Sequence, residues 1–74
     1  MEIIEFIEKF AEAIEIENVN ALSAETKFRE LEEWSSLSVM LLIAFYDEEF
    51  GKELTQAQIK DAKTIQDLYN IATA

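Results

Sequence analysis

A single glycine and no proline or cysteine in 74 residues leave this chain few sites for abrupt backbone reversal and no means of crosslinking itself. Proline would interrupt a helix by removing a donor and colliding with the preceding turn, and its absence leaves long segments free to be helical. Half of the residues are apolar and 30% are charged, enough core material for a globular fold. The expectation is an all-α fold in one domain, residues 1–74. A domain of this size hides only about 60% of the surface its unfolded chain exposes, which sets its stability on the order of 4 to 11 kcal/mol.

Apolar spacing divides the chain into helices. Ile3, Ile7, Phe10 and Ile14 recur at intervals of four, three and four, flanked by Phe6 and Ala13. This is the stripe of an amphipathic helix over residues 2–16, with Glu5, Glu8, Lys9, Glu12 and Glu15 on its solvated face. From 17 to 35 the period fades and Asn18, Asn20, Ser23 and Thr26 bring turn chemistry. A connection this long inside a small domain needs anchors. Leu22, Phe28, Leu31 and Trp34 are the candidates, with Phe28 and Leu31 expected to pack inward.

A second helix is expected over 36–50, nearly continuous in apolar residues until Asp47, Glu48 and Glu49. The only glycine, Gly51, follows at the position where a left-handed residue ends a helix. Thr55 with Gln58 and Thr64 with Asp67 have the spacing of capping boxes. The first opens a short third helix that carries Ile59 inward, and the second opens a fourth with Ile65, Leu68, Tyr69 and Ala72 buried. The architecture predicted is a small four-helix bundle, three main helices and a short third, with a long loop between the first and second.

Charge and missing residue types narrow the chemistry. Sixteen acids against six bases give a net charge of −10, which disfavours nucleic acid or an anionic membrane as partner and favours basic protein surfaces. Without Cys or His there is no thiolate or imidazole metal site, no Cys nucleophile and no Ser-His-Asp triad. Catalysis by the chain itself is not expected. No apolar run approaches a membrane span and no basic segment leads an apolar one, so the expected location is cytoplasmic, with no membrane insertion.

Among the acids, Asp47-Glu48-Glu49-Phe50-Gly51 lacks the alternating ligands of a calcium loop. Glu32 and Glu33 have nothing nearby to separate their pKa values for acid-base work. Trp34 reads as an aromatic that packs part of its indole on the core. The two serines after it have different prospects. Ser35 is placed to be the N-cap of the second helix, its hydroxyl accepting from the amide of Leu37 or Ser38. Ser36 then stands at the first helical position, at the positive end of the helix, where a covalently attached anion such as a phosphodiester is electrostatically favoured. No His or Lys adjoins it in sequence, so modification would be the work of another enzyme.

The run Trp34-Ser35-Ser36-Leu37, followed by an apolar helix ending in Asp47-Glu48-Glu49-Phe50-Gly51, resembles the central segment of acyl carrier proteins. The acidic first helix, Phe28 and Leu31 in the long loop, and Lys63-Thr64-Ile65 before the last helix extend the resemblance over the whole chain. The family signature is Asp-Ser-Leu, often preceded by Trp, with the serine carrying 4'-phosphopantetheine derived from coenzyme A. The resemblance therefore implies attachment at Ser36. It also implies a partner surface formed by Leu37, Met40 and Ala44, with Asp47 and Glu48 meeting basic docking patches. The implied function is carriage of acyl groups as thioesters in fatty-acid or related acyl or polyketide biosynthesis. The implied partners are a phosphopantetheinyl transferase and acyl-processing enzymes, with the carrier a monomer. From sequence, Leu37 and Met40 fit core and contact surface equally.

Three positions depart from the family pattern: Ser35 replaces the usual aspartate, Ser38 stands where an acid is frequent, and Leu41 occupies a position often filled by Glu. Fewer acids early in the second helix imply weaker long-range steering of basic partners. The family also shelters acyl chains between its helices, and Ala11, Ala13, Ala44 and Ala72 are the small residues that would leave room. The competing reading is an acidic helical protein-protein interaction module without a prosthetic group, in which both serines serve the helix start.

Overall fold

Helix α1 covers Ile3–Ala13, α2 Ser36–Phe50, α3 Gln56–Asp61 and α4 Ile65–Thr73 in a computed structural model that describes Met1–Ala74. Two short 3-10 turns, Val19–Ala21 and Phe28–Glu30, lie in the connection from α1 to α2, and there is no strand. The result is the expected small helical bundle. No helix is long and apolar enough to cross a membrane.

The first helix is shorter than its periodicity suggests. Glu15 adopts a left-handed conformation at φ 62°. Its amide turns back to the Glu12 carbonyl at 3.3 Å and the Ile16 amide to the Ala11 carbonyl at 2.8 Å. This is a Schellman closure, in which a hydrophobic residue just past the helix folds back on its last turn. Ile16, 7% exposed, is that residue, and its burial offsets the cost of a left-handed glutamate. The buried stripe is also rotated from the one expected. Phe6, Phe10, Ala11 and Ile14 face inward, whereas Ile3, Ile7 and Ala13 are half-buried and Ile4 is exposed.

Gly51 ends α2 as expected, at φ 61°, ψ 31°. The amides of Gly51 and Lys52 return to the carbonyls of Asp47 and Tyr46 at 3.1 and 3.3 Å. Both predicted capping boxes close. The Gln58 amide donates to Thr55 Oγ1 and the Asp67 amide to Thr64 Oγ1, each at 3.2 Å. Asp67 Oδ2 also accepts from the amides of Lys63 at 2.9 Å and Thr64 at 3.1 Å. Those two bonds, Lys63 first, hold its carboxyl below the usual carboxylate range because they favour the ionised form.

Aromatic packing dominates the core. The Phe6 ring lies 5.5 to 6.3 Å, centroid to centroid, from Phe10, Phe45, Tyr46, Phe50 and Tyr69. Tyr46 is completely buried and its hydroxyl donates to the Leu68 carbonyl, which joins α2 to α4. Burial pushes this phenol above its ordinary value, since ionisation would strand a charge in an apolar setting.

The long connection is tied down at both levels of structure. Phe28 is fully buried and stacks edge-on against Trp34 at 5.0 Å, while Leu31 and Leu22 are half-buried. The carbonyls of Ala24 and Thr26 accept from the first amides of α4, Gln66 at 2.8 Å and Ile65 at 3.0 Å. Those amides have no partner inside their own helix, so the loop completes α4 and α4 fixes the loop. Arg29 adds a third tie through Nη2, which donates to the Ala62 carbonyl at 2.8 Å.

Candidate functional site at the start of helix α2

Extended backbone at Ser35, φ −149° and ψ 179°, delivers the chain to α2 at the point where the apolar run begins. The cap differs from the expectation in which serine does most of the bonding. The Ser38 amide is taken by the Ser35 carbonyl at 3.0 Å rather than by its hydroxyl alone. Ser38 Oγ accepts from the Ser35 amide at 3.0 Å and donates to the Glu33 carbonyl at 3.2 Å. The Ser38 amide also faces the Ser35 side chain, which with the Ser35 amide on Ser38 Oγ makes a capping box, and the two side-chain oxygens lie 3.5 Å apart. Ser38 is only 3% exposed, which gives physical sense to a serine where an acid was expected. A carboxylate at this depth would carry a desolvation cost. The Ser-x-x-Ser spacing was the available signal, with serine standing in for the longer Glu or Gln of the usual box.

Ser36 is left free by this arrangement. It is exposed, and its hydroxyl takes no part in the network formed by Ser35, Ser38 and Glu33. The backbone amides of Ser36 and Leu37 reach no carbonyl acceptor. They therefore present two N–H donors and the positive end of a helix that continues for 15 residues beside the free hydroxyl.

Residues spaced three, four and seven apart share a helix face, and such a face runs from Ser36 along α2. Leu37 is 58% exposed and Met40 66%, so both lie on the surface and neither is core. Ala44, Asp47 and Glu48 are exposed on the same side. The stripe begins at a free hydroxyl, continues through apolar side chains and ends in carboxylates. Trp34 is half-buried against Phe28, and Glu32 and Glu33 are exposed ahead of the helix.

The small residues are divided between core and surface. Ala11 and Ala72 are buried in the aromatic core, while Ala13 and Ala44 line a surface groove of about 410 Å³ between α1 and α2. Leu41 and Phe45 also line that groove, as do Lys9 and Glu49, which form an ion pair at 3.3 Å. A second cleft, about 310 Å³, lies between α2 and α3 and is lined by Arg29, Trp34, Val39, Ala57, Ile59 and Lys60, with Gln56. Sequence reasoning did not mark Arg29 or Lys60, because neither belongs to a recognisable motif.

No protein-family model, curated protein or solved structure matches this chain.

Proposed function

We propose that this chain is an acyl carrier, bearing 4'-phosphopantetheine on Ser36. The observation that carries the reading is the separation of labour among three serines. Ser35 and Ser38 close the helix start, and Ser36 stands beside them with an exposed, uncommitted hydroxyl. The local chemistry fits the group. A phosphodiester on Ser36 would meet the free amides of Ser36 and Leu37 and the helix dipole, with no basic residue required. When attached, the group would supply a thiol that holds acyl cargo as a thioester, which a chain without cysteine lacks.

The protein's own residues would then present the hydroxyl and recruit enzymes. Leu37 and Met40 offer an apolar contact next to the attachment point, and Ala44 keeps the face low enough for close approach. Asp47 and Glu48 pair with basic residues at the far end, fixing the direction in which a partner lies along α2. Exposed charge pairs of this kind act chiefly on encounter rate and orientation, which suits a carrier that is released after each step. The first half of α2 carries no acid, so steering by this face rests on its C-terminal end. A cytoplasmic monomer serving fatty-acid or related acyl synthesis is the setting proposed.

Incubation with coenzyme A and a broad-specificity phosphopantetheinyl transferase tests the reading by intact-mass spectrometry. Wild type and Ser35→Ala gain one phosphopantetheine, and Ser36→Ala gains none. If wild type stays unmodified with several transferases, the acidic interaction module is the better account of the exposed Leu37 and Met40.

A further inference from the structure

We infer that the cleft between α2 and α3 binds a short aliphatic chain ending in a carboxylate, with Arg29 and Lys60 holding the anion. The argument begins with how the six cations are placed. Lys9 pairs with Glu49 at 3.3 Å, Lys27 lies 3.9 Å from Glu30, and Lys52 donates to the backbone carbonyls of Ile71 and Ala74. Arg29, Lys60 and Lys63 have no carboxylate within ion-pair distance, although the chain has sixteen acids to offer. Arg29 is common to the two depressions that Lys60 and Lys63 line. Arg29 and Lys60 line the α2–α3 cleft, which has no acid in its lining, whereas the groove that Arg29 shares with Lys63 and Lys27 also holds Glu30.

The cleft supplies what an amphipathic anion needs. Trp34, Val39, Ala57 and Ile59 make its apolar lining, suited to methylenes. Arg29 is held by its bond to the Ala62 carbonyl and lies 5.7 Å from the centre of the Phe28 ring. That bond uses one of five guanidinium N–H groups and leaves the others for a carboxylate, which arginine binds in a fork geometry. A volume of about 310 Å³ falls at the lower end of the range of small-ligand sites, which suits a short chain such as that of octanoate. The net charge of −10 repels anions in general, so selective uptake of one requires this local cluster.

Val39 follows Ser36 by three residues on α2, within about one helical turn, ~5.4 Å of rise, and Trp34 precedes it by two residues ahead of the helix. Delivery of the carboxylate on an arm at Ser36 rests on the carrier reading, whereas binding of the free ligand does not. The test is titration of unmodified, ¹⁵N-labelled protein with octanoate and with octanamide, followed by NMR. Octanoate shifts the Trp34 indole and the amides of Val39, Ala57 and Ile59, and octanamide binds about tenfold more weakly, as expected for loss of a charge-assisted contact. Lys60→Gln removes an exposed side chain, so its folding is not in question, and it weakens octanoate by a similar factor. Arg29→Gln does the same, while Lys9→Gln binds as wild type. Equal binding of acid and amide, shifts scattered over the surface, or unchanged affinity in both Lys60→Gln and Arg29→Gln overturns the inference. After modification of Ser36, an arm bearing the monothioester of octanedioic acid shifts the same resonances more than an octanoyl arm if the natural source is tethered. Shifts with the free acid alone assign the cleft to a diffusible carboxylate. Failure of transfer to Ser36 leaves the octanoate result standing, and failure of octanoate leaves the carrier reading standing.

Discussion

The Ser35 amide donates to the hydroxyl of Ser38 at 3.0 Å, and this bond decides which serine at the start of α2 is free to do anything else. Ser38 → Ala should leave the Ser35 amide and the Glu33 carbonyl without their side-chain partner. The expected loss is about 1 to 3 kcal/mol in denaturant unfolding, with Ser36 still open to modification. A Ser38→Ala protein that is as stable as wild type contradicts this view of the cap.

Glu15 holds a left-handed conformation for which a glutamate is poorly suited. Glu15→Gly relieves a backbone cost of about 1 to 2 kcal/mol and returns part of it as unfolded-chain entropy. A net gain of about 0.5 to 1 kcal/mol is expected from urea unfolding, without change in the far-UV spectrum. Loss of stability would show that the α1 closure draws more from the glutamate side chain than from the fold of Ile16.

Tyr46 ties α2 to α4 through the Leu68 carbonyl. Tyr46→Phe is expected to cost about 1 kcal/mol at neutral pH. The phenol is raised in the folded state, so the unfolded chain loses its proton first as pH rises past the ordinary value of 10.0. Its contribution is therefore complete below pH 10 and falls above it. Wild type should lose stability at alkaline pH more steeply than Tyr46→Phe, and parallel curves would count against a buried, un-ionised tyrosine.

A net charge of −10 with only two ion pairs between side chains leaves most of the acids repelling one another. Raising ionic strength from low to moderate shortens the Debye length from about 30 Å to about 8 Å, and the melting temperature should rise. A melting curve indifferent to salt would mean that self-repulsion is not a significant cost in this fold.

Much of this structure could be read from the residues because local signals and burial agree. Thr55, Thr64 and Gly51 sit where capping chemistry puts them, and the apolar run after Ser36 becomes α2. The failures are physical too. Nothing in the sequence marks Glu15 as left-handed, since the stop of α1 is driven by burial of Ile16 and not by a glycine. The rotation of the α1 stripe toward Phe6 follows from an aromatic cluster built with α2 and α4, which one helix's periodicity does not contain. At the site, exposure separates Leu37 and Met40 from core, a distinction lost on an almost wholly apolar helix. Arg29 and Lys60 come together only when the long connection is hung across α3 and α4.

The most direct measurement is tandem mass spectrometry of the chain purified after co-expression with a phosphopantetheinyl transferase. The carrier account predicts a phosphodiester-linked pantetheine on the peptide that contains Ser36, with fragment ions placing it on that residue. A chain carrying no modification, or one modified at Ser35 in place of Ser36, would contradict it.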